Sequence, residues 1–314
     1  MNILVLGAGS IGSVFGGLLC KAGNDVTMVG RKPHMRAISS GHLLIDGIWG
    51  EHRIRTLKCY SNLKDAVEHE TGGFDVVLLT VKSYDTEPVL HDVRRCFSIS
   101  PPVVSLQNGL GNVEKLEQII GKEKTVGGRV IFGVEFIRPA HVRITVEADK
   151  TIIGALPQGM EGPFVEHLAQ LFTDAGIPTV TTDEIEHYIW GKVLYNCALN
   201  GLATIVDAHY GKLLGNAGTR DIMHRIIDEI FMLARSRKVK LDWNSPDQYT
   251  RILFDELIPK TFEHHPSMLQ DIRQGKKTEI DALNGAVADL GERAGLYLDY
   301  NRTIRNLIKA KERL

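Results

Sequence analysis

Apolar residues follow two rhythms along this chain. In the first part they form short continuous runs: Ile3-Leu-Val-Leu6, Asp25-Val-Thr-Met-Val29, Phe74-Asp-Val-Val-Leu-Leu-Thr-Val-Lys82 and Pro102-Val-Val-Ser-Leu-Gln-Asn-Gly109. Such runs, broken by glycine or polar residues, predict strands buried on both faces, as in a parallel sheet. Helical spacing separates them, through Val14, Leu18 and Leu19 and again over 84–97 and 162–175. Residues 42–58 predict a hairpin turning at Asp46-Gly47 and Gly50. Residues 130–154 alternate and predict two or three antiparallel strands turning near Pro139 and Asp149, and a short strand follows at 177–181. After the capping signal Thr182-Asp183-Glu184 the rhythm becomes helical almost to the end, with helices predicted over 221–237, 247–257, 277–295 and 301–313. Strands with helices followed by helices alone predict an α/β sheet domain over 1–182 and an all-helical domain over 183–314.

The first strand runs into Gly7-Ala8-Gly9-Ser10-Ile11-Gly12 and then a helix. In this context G-x-G-x-x-G is a dinucleotide fingerprint, and it makes the first domain Rossmann-type. Gly7 permits the tight turn, Gly9 lets backbone approach a pyrophosphate, and Gly12 lets helix and strand pack closely. The helix N-terminus offers free amides and a positive dipole end to phosphate. At the end of the second strand, NAD-binding chains carry an acid for the ribose 2′-hydroxyl. Here Gly30-Arg31-Lys32 stands instead. A guanidinium can take a 2′-phosphate bidentately, so NADP is the expected cofactor, against the plainer reading of Arg31 as a solvated loop arginine. Lys82 and Asn108 end later strands, on the side where open parallel sheets bind ligands, although Asn-Gly also marks ordinary turns.

In the helical part, Lys192, Asn196 and Asn200 recur every fourth residue within Ile189-Trp-Gly-Lys-Val-Leu-Tyr-Asn-Cys-Ala-Leu-Asn200. At about 100° per residue they share one face of a helix otherwise apolar enough to bury. One ammonium and two amides facing one way can donate to a carbonyl oxygen and fix a neighbouring hydroxyl; a solvated stripe on a surface helix is the competing reading. Ser267 sits at a helix start, as an N-cap or as a ligand group, and Glu279 and Asp281 stand among apolar neighbours.

Composition narrows the class. With 37 Lys and Arg against 38 Asp and Glu, a net charge of −1 supplies no drive toward nucleic acid or acidic membrane. Cys20, Cys59, Cys96 and Cys197 are widely spaced, which fits neither a zinc ribbon nor a disulfide framework and suits a reducing cytoplasm. The 12 histidines form no metal-binding spacing, so no metal is expected. The run Ile3–Leu6 lacks a basic leader and reads as a strand, not a signal peptide, and no run reaches the roughly 20 apolar residues of a membrane helix.

Taken together, Gly7–Gly12, Lys82, Gln107-Asn-Gly-Leu-Gly111, Trp190-Gly-Lys192, Asn196, Asn200, Ser267-Met-Leu-Gln-Asp271 and Thr278-Glu-Ile-Asp281 resemble the ketopantoate reductase (2-dehydropantoate 2-reductase) family over nearly the whole chain. The resemblance implies NADPH-dependent reduction of 2-dehydropantoate to (R)-pantoate, on the route to pantothenate. It implies Lys192 as proton donor, with Asn108 at nicotinamide and substrate. Asn196, Asn200 and Ser267 would hold the substrate, and Glu279 would orient ligand or cofactor. Arg31 and Lys82 would belong to the NADP site with the glycine loop. A small-molecule 2-oxo acid is then the partner, and a homodimer is compatible with the sequence. Arg129 and Glu135 depart from the family's small, apolar pattern. On one strand, Arg129, Ile131, Gly133 and Glu135 would share a face near the substrate. Two other functions stay open: an oxidoreductase acting on another 2-oxo acid or an imine, and a non-catalytic NADP-binding sensor.

Overall fold

Twelve strands organise the first part of the chain, and the computed structural model describes all of residues 1–314. They are β1 (Asn2–Leu6), β2 (Asp25–Val29), β3 (Leu43–Gly47), β4 (His52–Ile54), β5 (Lys58–Tyr60), β6 (Val76–Leu79), β7 (Val103–Ser105), β8 (Thr125–Arg129), β9 (Phe132–Arg138), β10 (His141–Glu147), β11 (Thr151–Ala155) and β12 (Thr179–Thr181). Eight of them form one sheet in the order β12-β11-β8-β7-β6-β1-β2-β5, parallel except where β11 meets β8. Ile3, Leu4, Val5 and all of Val76–Leu79 are fully buried, as expected of strands covered on both faces. From β1 the order runs outward in both directions. The topological switch point therefore lies between β1 and β6, at the carboxyl ends that lead into Gly7 and Thr80–Lys82.

A second sheet, β4-β3-β10-β9, covers the helix Ser10–Lys21. The approach is close enough to dictate a residue: a Cβ on Gly17 would come 2.7 Å from Ile45 and 2.9 Å from Leu43. On the same helix Phe15 packs against Phe132 and Phe172, with ring centroids 6.0 and 5.2 Å away. The predicted 42–58 hairpin is thus shorter, closing at Ile54, and Lys58 already belongs to the main sheet. The predicted 130–154 strands divide between the sheets. The chain leaves the main sheet after Arg129 and returns with β11. Arg129 and Glu135 accordingly share no strand face. Arg129 ends β8 with its guanidinium buried and donating to Asp149 at 2.9 Å, whereas Glu135 pairs with Arg143 in the register of β9 and β10.

Beside this core, His34 in the helix Lys32–Ser39 is buried, with Phe136 against its ring. Its Nδ1 accepts the Ala140 N–H at 3.0 Å, which leaves Nε2 to donate to Ser13 Oγ at 2.9 Å. The Nδ1 contact requires the neutral ring, and burial pushes its pKa down to about 4. The unfolded chain, with a histidine pKa near 6.5, binds the proton first. Stability from this group is therefore complete above about pH 6.5 and is lost as pH falls toward 4, by about 3 kcal/mol in all. Melting temperatures measured across that window should fall less steeply for His34→Gln than for the wild-type chain. Parallel curves would remove His34 from the acid response.

The chain divides into two compact units, Met1–Gln107 with Asn112–Ile185, and Asn108–Gly111 with Glu186–Leu314. The second unit is helical, with Ala217–Ser236, Asn284–Arg293 and Asp299–Lys311 packed about the Ile185–Ile205 helix on a core that includes Val193, Leu194, Ile226, Ile230, Val287 and Ile304. Residues 277–295 do not form the one helix predicted. Thr278 gives both its N–H and its hydroxyl to Glu312, and a short turn, Ile280–Ala282, precedes the helix Asn284–Arg293. No helix is long and apolar enough to cross a membrane.

Candidate active site

In the first unit the glycine loop is shaped by contacts that admit no side chain. Gly7 has φ +101°, and a Cβ there would lie 2.3 Å from Val81 N. A Cβ on Gly12 would lie 2.5 Å from both Gly7 O and Thr80 Oγ1, and that hydroxyl bridges Leu6 O and Gly7 O at 3.1 and 2.8 Å. Gly9 differs. Its N–H donates to Gly7 O at 2.6 Å, yet a Cβ there would meet nothing nearer than 3.9 Å. Internal packing does not require glycine at position 9, so a bare backbone there leaves room for a molecule from outside.

The helix that follows starts at Ser10 with no side-chain cap and no acidic residue in its first turn. The amides of Ser10, Ile11 and Gly12 are thus available to an anion such as a pyrophosphate. Ala8 is buried, donates its N–H to Val29 O at 3.0 Å, and would clash at 2.8 Å with any Cβ on Gly30. Arg31 follows as N-cap of the next helix, its side chain exposed, and no carboxylate stands at the end of β2. Lys82 is half-buried at the end of the β6 segment, before the turn Ser83–Asp85.

The second unit assembles a different set. Trp190, Val193, Leu194, Cys197, Ala198 and Leu199 are all buried, so the helix Ile185–Ile205 is not a surface helix. Asn196 and Asn200 are only 8% and 7% exposed, which removes the solvated-stripe reading. Lys192 is half-buried and its ammonium donates to Asn108 Oδ1. Asn108 is held there by the residues after it: Leu110 is buried in the helical core, and its N–H donates to Ala282 O at 2.8 Å. Gly109 makes this docking feasible, with φ +89° and only 2.3 Å from its would-be Cβ to Ala282 O.

The Asn196 amide makes no hydrogen bond to a protein group and is not sealed from solvent, so it is free to bind a ligand. Asn200 Oδ1 accepts from Tyr210, a residue unmarked in the sequence. Ser267 begins the helix Ser267–Arg273, but Pro266 is the N-cap, and the exposed Ser267 hydroxyl is bonded to no protein group. The N-cap reading of Ser267 therefore fails. Glu279, half-buried, heads the turn Ile280–Ala282. Next to it Asp281 is gripped by Lys309 at 2.8 Å and Arg305 at 3.1 Å. Burial would raise its pKa, but these cations more than offset that and hold it below the usual carboxylate range.

Comparisons with known proteins agree with both halves. Residues 3–158 match the family described as ketopantoate reductase PanE/ApbA, and residues 184–312 match its C-terminal counterpart. A 2-dehydropantoate 2-reductase of Aquifex aeolicus is 40% identical over 313 residues, covering 99% of this chain and 97% of that one. The crystal structure of a PanE/ApbA family ketopantoate reductase from Ralstonia eutropha JMP134 superposes with a TM-score of 0.87 at 29% identity, covering 100% of this chain and 99% of the other. A D-mandelate dehydrogenase, in a ternary structure with NADH and anilino(oxo)acetate, also superposes with a TM-score of 0.87, at 26% identity and the same coverage. With both units matched and a 40% identical relative aligned end to end, the chain belongs to the ketopantoate reductase family, whose members are dinucleotide-dependent oxidoreductases.

Proposed function

We propose that the chain reduces 2-dehydropantoate to (R)-pantoate with NADPH, in the cytoplasm, with Lys192 as proton donor. The observation that carries this is the buried face of the helix Ile185–Ile205, where an ammonium fixed by Asn108 stands in line with an unpartnered Asn196 amide. A donor set of this kind suits an oxygen on which negative charge develops. The dinucleotide fits the first unit at the open backbone of Gly9 and the uncapped amides of Ser10, Ile11 and Gly12. Ala8 supports that loop, with Arg31 toward a 2′-phosphate and Lys82 as a further cation. When bound, NADPH supplies the hydride.

The chain's own residues do the rest. As the ketone oxygen gains charge, the Lys192 ammonium stabilises it and passes it a proton. Asn108 Oδ1 holds that ammonium in place and borders the nicotinamide and substrate. Asn196, Asn200 and Ser267 bind the remaining substrate oxygens, and Glu279 orients ligand or cofactor. The four cysteines are all unpaired, as a reducing compartment allows.

The D-mandelate dehydrogenase likeness favours a second reading, an oxidoreductase for another 2-oxo acid, such as an aryl oxoacetate, with NADH. Following NADPH and NADH oxidation across a panel of 2-oxo acids separates the two. The expected result is the highest kcat/KM for 2-dehydropantoate with NADPH. A higher value for an aryl or other branched oxo acid would give the substrate to the second reading, and no turnover with any would leave a dinucleotide sensor.

A further inference from the structure

Behind the lysine–asparagine face lies a residue whose position is fixed from several directions. Tyr210, only 2% exposed, opens the short helix Tyr210–Leu214. Its N–H donates to His264 O at 3.1 Å, and its ring packs edge-on against Tyr195 and tilted against His264, with centroids 5.8 and 5.2 Å away. Gly211 ties the same segment down. It donates to Phe262 O at 2.9 Å, and a Cβ on it would lie 2.5 Å from the Phe262 ring. The phenol therefore has little freedom to move.

Its hydroxyl makes one hydrogen bond, to Asn200 Oδ1. The direction of that bond follows from its surroundings. Burial holds the phenol pKa well above its ordinary value, so the proton stays on. The Tyr210 hydroxyl makes no hydrogen bond to the neighbouring Tyr195, whose own hydroxyl donates to Thr261 Oγ1 at 2.8 Å while Thr261 gives its proton to Leu257 O at 2.9 Å. A flipped Asn200 amide would set N–H groups against the phenol and leave the phenolic proton unpaired in a buried place, which is costly. With Oδ1 turned to the phenol, the Asn200 NH2 group is what the amide presents on its other side.

We propose that Tyr210 is a positioning residue that fixes the Asn200 amide with its NH2 end presented, so that the substrate group seated there is a hydrogen-bond acceptor, a carboxylate or hydroxyl oxygen, and not an N–H donor. The inference rests on the reading of Asn200 as a substrate contact. It concerns specificity: an analogue that presents an amide or ammonium hydrogen at this point meets another donor and is rejected.

Steady-state kinetics test it, using whichever 2-oxo acid the panel ranks first, on wild type, Asn200→Ala, Tyr210→Phe, the double variant, Tyr195→Phe and Asn200→Asp. Tyr210→Phe should raise KM about 3- to 10-fold, the scale of one neutral hydrogen bond, with kcat nearly unchanged. In the Asn200→Ala background Tyr210→Phe should add nothing, since the two act as one. Tyr195→Phe loses a similar bond without touching Asn200 and should leave KM unchanged. Asn200→Asp, which turns the donor into an acceptor, should raise KM beyond Asn200→Ala, and this arm stands even if Tyr210→Phe does not fold. An unchanged KM in Tyr210→Phe, additivity in the double variant, or a KM for Asn200→Asp at or below that of Asn200→Ala overturns the inference. If Asn200→Ala itself leaves KM unmoved, the substrate reading of the whole face falls with it. If Asn200→Ala raises KM and Tyr210→Phe does not, only the role of Tyr210 is lost.

Discussion

Turnover should fall by about 10²–10⁴-fold in Lys192→Ala, the usual effect of removing a positioned general acid. The variant should still fold, because Lys192 is half-buried at the margin of a helix whose packing is carried by Trp190, Val193, Leu194 and Cys197. It should also still bind NADPH, since the dinucleotide is proposed to be held by the glycine loop and Arg31. A nucleotide titration and a circular dichroism spectrum establish those two conditions, and single-turnover kinetics then report the chemical step. Lys192→Ala protein that binds NADPH and turns over within tenfold of wild type would exclude the lysine as proton donor. Asn200→Ala provides the contrast, because loss of a positioning contact appears chiefly in KM.

The second large effect concerns cofactor choice. Arg31 is exposed at the head of the helix Lys32–Ser39, and the position where an acid would take a ribose hydroxyl is Gly30. Arg31→Ala should weaken NADPH binding by several-fold to 100-fold, about 1–3 kcal/mol for a charged hydrogen bond, while NADH binding hardly changes. The difference should also shrink with added salt, since the site is open to solvent. Equal losses for both nucleotides in side-by-side titrations would assign Arg31 to general phosphate attraction or to no role.

Much of this was legible because the relevant patterns are local. The buried runs of β1 and β6, the spacing of Gly7, Gly9 and Gly12, and the four-residue period of Lys192, Asn196 and Asn200 each fall within one element or one turn. What escaped depends on partners far away in sequence. The crossing from Arg129 to β9 follows from β10 finding β3, a pairing about a hundred residues apart, such as Val142 with Ile45. The segment before Asn284 has helical apolar spacing, but Ala282 O, which a continuous helix would use for its own hydrogen bond, accepts instead from Leu110, and Leu283 at φ −105°, ψ −110° ends the turn. Tyr210 carried no signal at all. Only the break in the chain between Ile205 and Tyr210 brings its hydroxyl back to Asn200.

The four residues Asn108–Gly111 bear on how such a chain can be cut and recombined. They lie between Gln107 and Asn112 in sequence, yet fold with the helical unit, where Leu110 fills the core and Asn108 receives the lysine. A helical fragment beginning at Glu186 would lack Asn108, which accepts from its Lys192, and would expose the seat of Leu110. Exchanging helical halves between relatives at a junction near residue 185 would likewise pair each lysine with another protein's loop. A recombined chain should therefore take Asn108–Gly111 from the same parent as its helical half. Substitutions at Leu110, Ala282 and Lys192 must remain compatible with one another even though the first is encoded among the strands.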